Sequence, residues 1–346
     1  MKKISLKDIA AVVGVSPSTV SIVLNGKGKE MRISEKLEKR IKEYAEKSGY
    51  QPNKIAVSLR TGSSKILGLI VEDISNNFFA TLAKIIEVEA EKFGYNVVFC
   101  STENDTKKGK QLIKVLSQQQ VDGFLITPTE GMCDDIRSLH EQRHPVVLMD
   151  RHFPELNIPC VLADNYHGVR DGMDHLIDNG YKNIGFVTVD MDLVQMKRRE
   201  AAFFDSVNGS GSGRTNDQIL RLPVNTSQAD SVELITLFLK QNPVLDAVFF
   251  ATNYLGIAGL ESIRNLKLVI PGDLGIVCFD DHDIFRLYTP GITTIKQPTD
   301  EIGMNAVRLL IDSITKTDGS HTDKVLEYQA TLMVRGSSSK IESLLC

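Results

Sequence analysis

From Ile66 onward, short apolar runs alternate with amphipathic stretches, and no other feature of the chain restricts its fold as strongly. The runs Ile66 to Val71, Asn96 to Cys100, Gly123 to Thr127, Val146 to Met149, Val161 to Ala163, Ile184 to Val189, Ile219 to Leu222, Ala247 to Ala251 and Gly275 to Phe279 have the length and apolar content of buried strands. Between or after them, helical spacing covers Phe78 to Phe93, Lys107 to Gln119, His167 to Asn179, Met196 to Val207, Ser231 to Gln241, Tyr254 to Asn265 and Glu301 to Thr315. Strand and helix in regular alternation predict parallel sheets covered by helices, because parallel neighbours need a crossover. So many strands exceed one typical doubly wound sheet, so the spacing predicts two subdomains with a junction near Asp164.

Open α/β sheets bind ligands beyond the carboxyl ends of their strands. Polar residues stand where those ends fall: Glu72-Asp73 with Asn76-Asn77, Thr127 to Thr129, Asp150-Arg151, Asp190, Asn253 and Asp280-Asp281. Carboxylates, amides and an arginine suit a hydroxyl-rich ligand, since each sugar hydroxyl both donates and accepts. Phe78 and Phe79, just past the first strand, are candidates for stacking on a ring or for the core.

The first 62 residues are of another kind. Ser5 caps a predicted helix with Leu6, Ile9, Ala10 and Val13 at helical spacing, and Gly14 breaks it. Ser16 is a natural N-cap for a second helix, Pro17 suits its first position, and Val20, Val23 and Leu24 form an apolar stripe before Asn25-Gly26. A third helix, capped by Ser34, carries Leu37, Ile41, Tyr44 and Ala45. Two short helices joined by a glycine turn form a helix-turn-helix, whose second helix enters the major groove while Thr19, Ser21 and nearby lysines meet phosphates. Charge agrees: residues 1 to 62 hold 13 Lys+Arg against 6 Asp+Glu, and the remainder holds 27 against 38. A basic head on an acidic body brings only the head to a polyanion.

The segment Leu6-Lys7-Asp8-Ile9-Ala10 through Gly14-Val15-Ser16-Pro17-Ser18-Thr19-Val20-Ser21 and Val23-Leu24-Asn25 closely resembles the head of the lactose-repressor (LacI/GalR) family. So does Gly49-Tyr50-Gln51-Pro52-Asn53 followed by Ala56 and Leu59, and the rest of the chain is similar to the family's body. The resemblance implies an all-α helix-turn-helix head on an α/β, two-lobed, periplasmic-binding-protein-like body of two parallel-sheet subdomains. It implies base contacts from Pro17, Ser18 and Ile22, where an isoleucine replaces the polar residue often found and offers only apolar readout. It also makes Asn53 to Arg60 a hinge helix, too short to persist alone. On a paired operator, Ala56 would approach the groove floor and Leu59 would wedge between base steps. Leu6 and Asn25 complete the expected DNA-contacting set. In the body it points to Asp150, Arg199 and Asp280 as effector contacts, joined by Asp73, Phe78, Phe79, Thr127 and Asn253 from the strand ends. Ala202 stands where the family usually has glycine, and Thr252-Asn253-Tyr254 where Asn-Asp is common.

The expected layout is therefore a head over 1–48, a hinge over 49–63, a body over 64–336 and a tail over 337–346. The body divides into one lobe from 64–163 and 293–324 and another from 164–292 and 325–336, the chain recrossing near Thr293 and near Lys324. No G-x-S-x-G, G-x-G-x-x-G, P-loop or H-E-x-x-H occurs, so neither an enzyme nor a cofactor is expected. Five widely spaced cysteines without C-x-x-C suggest neither a disulfide framework nor a zinc site, and fit a reducing cytoplasm. Lys7 and Asp8 interrupt any leader-like apolar stretch, and no run approaches the ~18 apolar residues of a membrane span. A transporter-linked solute-binding protein would share the body but not the basic head. The expected partners are thus palindromic operator DNA, a sugar-like effector and a second copy of the chain, with no membrane and with a tail too short for a tetramer-forming helix.

Overall fold

The structure is a computed structural model and describes residues 4–50, 58, 61–209, 218–315 and 325–339. The chain divides into two compact units after Ser64.

The first unit holds α1 (Leu6–Val13), α2 (Pro17–Leu24) and α3 (Glu35–Lys47). Ser5 and Asp8 form a reciprocal capping box at α1, and Gly14 ends it in the left-handed region, at φ 76°, where a side chain would be strained. The chain then turns through 106° into α2. There the Ser16 hydroxyl accepts from the Thr19 amide at 3.1 Å and Pro17 fills the position whose N–H has no helical partner. Ser34 precedes α3 but makes no side-chain cap bond, and Leu24 is only half-buried. Ile9, Ala10, Val13, Val20, Val23, Ile41 and Ala45 make the small core.

The second unit carries two six-stranded sheets. The first has the order β11-β5-β4-β3-β1-β2, from β1 (Ile66–Val71), β2 (Asn96–Ser101), β3 (Gly123–Ile126), β4 (Val146–Met149), β5 (Cys160–Asp164) and β11 (Val325–Gln329). Every pairing in it is parallel. Its helices are α4 (Asn77–Lys92), α5 (Thr106–Gln118), α6 (Cys133–Glu141) and, from late in the chain, α12 (Thr299–Thr315). The second sheet runs β12-β10-β9-β8-β6-β7, from β6 (Ile184–Val189), β7 (Ile219–Leu222), β8 (Ala247–Phe250), β9 (Gly275–Phe279), β10 (Thr293–Lys296) and β12 (Thr331–Met333). Only the β10–β12 edge is antiparallel. Around it lie α7 (Asn165–Asp178), α8 (Val194–Gly209), α9 (Gln228–Gln241), α10 (Asn253–Leu266) and the short α11 (Asp283–Leu287). Helices approach the sheet closely where glycine leaves room: a Cβ on Gly259 would fall 2.1 Å from the Phe250 ring.

The crossings differ from the expected ones. β10 belongs to the second lobe and β11 to the first, so the chain recrosses at Gln297-Pro298 and at Ala330 rather than near Thr293 and Lys324. Both strands sit at or next to a sheet edge and are short, so neither shows the apolar run that marks a central strand. The body also extends past 336: Ser337 and Ser338 are fully buried, Ser337 donating to the Ile276 carbonyl at 2.7 Å. The helices at Cys133–Glu141 and Asp283–Leu287, and the strands β10 to β12, go beyond what apolar spacing predicts.

Candidate functional site

Within the body the two sheets present matching ends to each other. β4 and β9 are each third in their sheet, and each is followed by a buried aspartate in the left-handed region: Asp150 at φ 62° and Asp280 at φ 70°. The match extends to the backbone. The Asp150 amide donates to Val161 of β5 at 3.0 Å, and the Asp280 amide to Ile295 of β10 at 2.9 Å. Aspartate tolerates this conformation better than most residues, yet it still costs about 1 kcal/mol, a strain that gathers at functional sites.

Arg199 is buried within the electrostatic reach of both carboxylates. It projects from α8, is 3% exposed, donates from Nε to Asn165 Oδ1 at 2.7 Å and from Nη1 to the Ala251 carbonyl at 2.6 Å, and lies 3.6 Å over the Phe279 ring. Burial pushes the Asp150 carboxyl up to about 7, with Arg199 opposing and Asp280 adding to the rise. Burial also raises Asp280, against the pull of Arg199 and of Gln297, whose amide donates to Asp280 Oδ1 at 2.5 Å. Arg151 is buried beside Asp150 and held down to about 10 by desolvation. Its guanidinium pairs with Glu72 and donates to Asn104 Oδ1 at 3.1 Å. Two guanidiniums thus serve three carboxylates in a desolvated pocket.

The lobes also touch directly. Asn253, opening α10, donates to Asn76 Oδ1 at 2.9 Å, and Asn76, capping α4, donates back to Asn253 Oδ1 at 3.4 Å. Asn76 lines both an inner chamber of about 40 Å³ and an outer one of about 380 Å³, and Asn253 lines the outer one. Two buried polar atoms lining the inner chamber lack a hydrogen-bond partner, Gln195 Oε1 and Gln297 Oε1, and Arg151 Nε there has the Asp150 carboxylate at 3.3 Å. Most buried polar groups in folded proteins are paired, so unpaired ones lining a cleft are poised for a ligand.

Of the residues expected at the site, Phe78, Phe79, Asp150, Arg199 and Asp280 line the inner chamber together, and Asp73 and Asn253 line the outer one. Phe78 and Phe79, edge to face at 5.0 Å, also belong to the first lobe's core. The Asp73 carboxylate is occupied by the Ser75 amide and hydroxyl at 2.8 and 2.7 Å, as in a strand-end turn. Thr127 is buried but lines neither chamber. Sequence reasoning did not select Gln195, Gln297 and Tyr254, whereas Glu72, Asn76 and Arg151, which it placed at strand ends facing a cleft, also line the inner chamber. Tyr254 follows Asn253 and Arg151 follows Asp150, so adjacency was their available signal, whereas Gln297 arrives from a crossing that no local pattern marks.

In the head, Pro17 and Ser18 are exposed at the start of α2, and Leu6, Thr19, Ser21 and Ile22 are half-buried around it. The Ser16 hydroxyl lies 2.8 Å from both the Ser18 and Thr19 hydroxyls, so the cap gathers three polar groups at one helix end. The Asn25 amide is turned back on α2, donating to the Ser21 carbonyl at 2.6 Å. Asn53, Ala56 and Leu59 lie outside the described residues.

Residues 5–53 match the family of bacterial regulatory proteins of the lacI type, and residues 64–333 match the periplasmic binding proteins and sugar binding domain of the LacI family. The ribose operon repressor of Halalkalibacterium halodurans is 30% identical over 314 residues, covering 90% of this chain and 91% of that one. A solved complex of the transcriptional regulator CelR with cellobiose shares 26% identity at a TM-score of 0.71, covering 97% of this chain and all of that one. The lac repressor dimer bound to operator and the anti-inducer ONPF has the same fold at a TM-score of 0.85, with 21% identity over 97% of this chain and 99% of that one. The chain belongs to the LacI family of DNA-binding transcriptional regulators, with a helix-turn-helix head and an effector-binding, periplasmic-binding-protein-like body.

Proposed function

We propose that the protein represses transcription as a homodimer on a palindromic operator and is controlled by a sugar or sugar derivative held between the two lobes of its body. The observation that carries this reading is the matched pair Asp150 and Asp280 near Arg199: one buried, strained carboxylate from each lobe, both within the field of a single buried guanidinium. A ligand gripping both aspartates draws the lobes into one arrangement, and its differential affinity for that arrangement is the free energy available for control. The relatives that bear a sugar in their names, the ribose operon repressor and the cellobiose complex, support a polyhydroxyl effector.

On the DNA side, Pro17, Ser18 and Ile22 read base edges, Thr19 and Ser21 meet phosphates, and Leu6 and Asn25 flank them. Asn53, Ala56 and Leu59 act through the minor groove in the hinge. One helix-turn-helix covers one half-site, so a palindrome calls for two copies of the chain. The protein works as a regulator without catalysis, in the cytoplasm and on the nucleoid. A selection of bound genomic fragments, repeated with sugars, sugar phosphates and nucleobases, tests this directly. A palindromic site whose recovery changes with one sugar is the expected result; recovery of no site, or of one indifferent to every compound, refutes it.

A further inference from the structure

We infer that the cleft is built for an uncharged polyhydroxyl ligand and rejects the phosphorylated or acidic form of the same compound. The inference rests on the reading of the cleft as the effector site and narrows the ligand's chemistry. The first support is the charge inventory. Glu72, Asp150 and Asp280 face Arg151 and Arg199 in the inner chamber, and the outer chamber adds Asp73 but neither lysine nor arginine. Above pH 7, where Asp150 is ionised, an anion entering this space meets more carboxylates than cations, in surroundings that screen poorly.

The second support is how the two cations are spent. An anion site presents an open guanidinium fork. Here Arg151 is held by Asp150, Glu72 and Asn104, and Arg199 ties Nε to Asn165 and Nη1 to the Ala251 carbonyl with the Phe279 ring across its face, so neither fork is wholly open. The helix ends that face the cleft are similarly engaged: Asn76 caps α4 through the Phe78 amide, and Thr252 and Asn253 take the Leu255 and Tyr254 amides of α10.

The third support is the kind of hydrogen bond left to make. Gln195 and Gln297 are 5% and 4% exposed, line the inner chamber and each present an unpartnered carbonyl oxygen. For Gln297 the orientation is fixed, because its amide nitrogen must donate to Asp280. With the aspartate oxygens these form a surface that mainly accepts. Hydroxyls donate to such a surface, whereas a phosphate or carboxylate offers acceptors alone.

The test is calorimetric titration of the full-length protein with matched probes: D-ribose and ribose 5-phosphate; D-glucose, glucose 6-phosphate and gluconate; cellobiose and cellobionate. The expected result is that an uncharged probe binds and its anionic partners bind at least about 100-fold more weakly. At pH 8, where the Asp150 carboxyl raised to about 7 is ionised, Asp150→Asn lowers that ratio to about tenfold, because one like charge is gone; exclusion by size alone leaves the ratio unmoved and overturns the inference. An anionic probe that binds as tightly as its neutral partner also overturns it, while leaving the cleft as the effector site. Binding of no probe in either form overturns both.

Discussion

Replacing Asp150 by Asn isolates the cost of burying a carboxylate in the cleft. Burial lifts this carboxyl from 3.8 to about 7, so the folded protein holds its proton far more tightly than the unfolded chain does. Between those two values the folded state binds more protons than the unfolded one, and stability therefore falls as pH rises. The stabilising contribution is fully present below about pH 4 and is lost as pH passes through about 7. A shift of about 3 units at about 1.4 kcal/mol each gives a penalty on the order of 4 kcal/mol above neutrality. Asparagine is nearly isosteric, accepts the same left-handed backbone and does not titrate. The assay is thermal unfolding of the full-length protein and of Asp150→Asn from pH 5 to pH 8. With each kcal/mol worth about 2 °C in a body of this size, the variant should melt about 3 °C above the parent at pH 5, where about 1.7 kcal/mol is already lost, and about 8 °C above it at pH 8. Parallel curves across that range would refute the argument, showing that Asp150 is either solvated or fully compensated by Arg199.

Three further outcomes follow from the described packing and from the hinge reading. Gly259→Ala drives a methyl into the Phe250 ring and should cost the body about 1–3 kcal/mol in a denaturant titration, whereas Gly109→Ala, which meets the flexible Met132 side chain at 2.5 Å, should cost less; equal losses would contradict the contact geometry. Ser16→Ala removes the cap of α2 and should destabilise the head by about 1 kcal/mol, seen as weaker operator binding in a gel-shift titration that Ser16→Asp largely restores. Leu59→Ala should lower operator affinity sharply while the melting temperature of the body stays within about 1 °C; affinity within twofold of the parent would remove the wedge assignment.

Much of this architecture was legible in the chain because its central strands are buried on both faces and read as unbroken apolar runs: Ile184–Val189 and Gly275–Phe279 have the bounds that the runs predict. Edge strands lack that signal. β11, with residues alternating between exposed and half-buried, gives no hint that it pairs with β5 across more than 150 residues of chain. The same contrast holds for the site. Asp150 and Asp280 stand directly after apolar runs, where sheet topology makes polar residues conspicuous, and both reach the inner chamber. Gln195 and Gln297 are ordinary glutamines in sequence, and only the folded chain brings them, buried, into one chamber with residues of both lobes. Asp73 shows the opposite case, a carboxylate in the right place whose oxygens the neighbouring Ser75 already uses.

The interleaved lobes also set an order of events during synthesis. The first lobe lacks its helix Thr299–Thr315 and its edge strand Val325–Gln329 until long after its other strands have been made, and the second waits for Thr331–Met333. The head is complete after its first 64 residues. At roughly 5–20 residues per second, about 15 to 50 s separate a finished head from a body able to close its sheets. Through that interval a nascent chain carries a folded DNA-reading unit with no means of sensing the metabolite that governs it, and only completion of the last strand brings the two under common control.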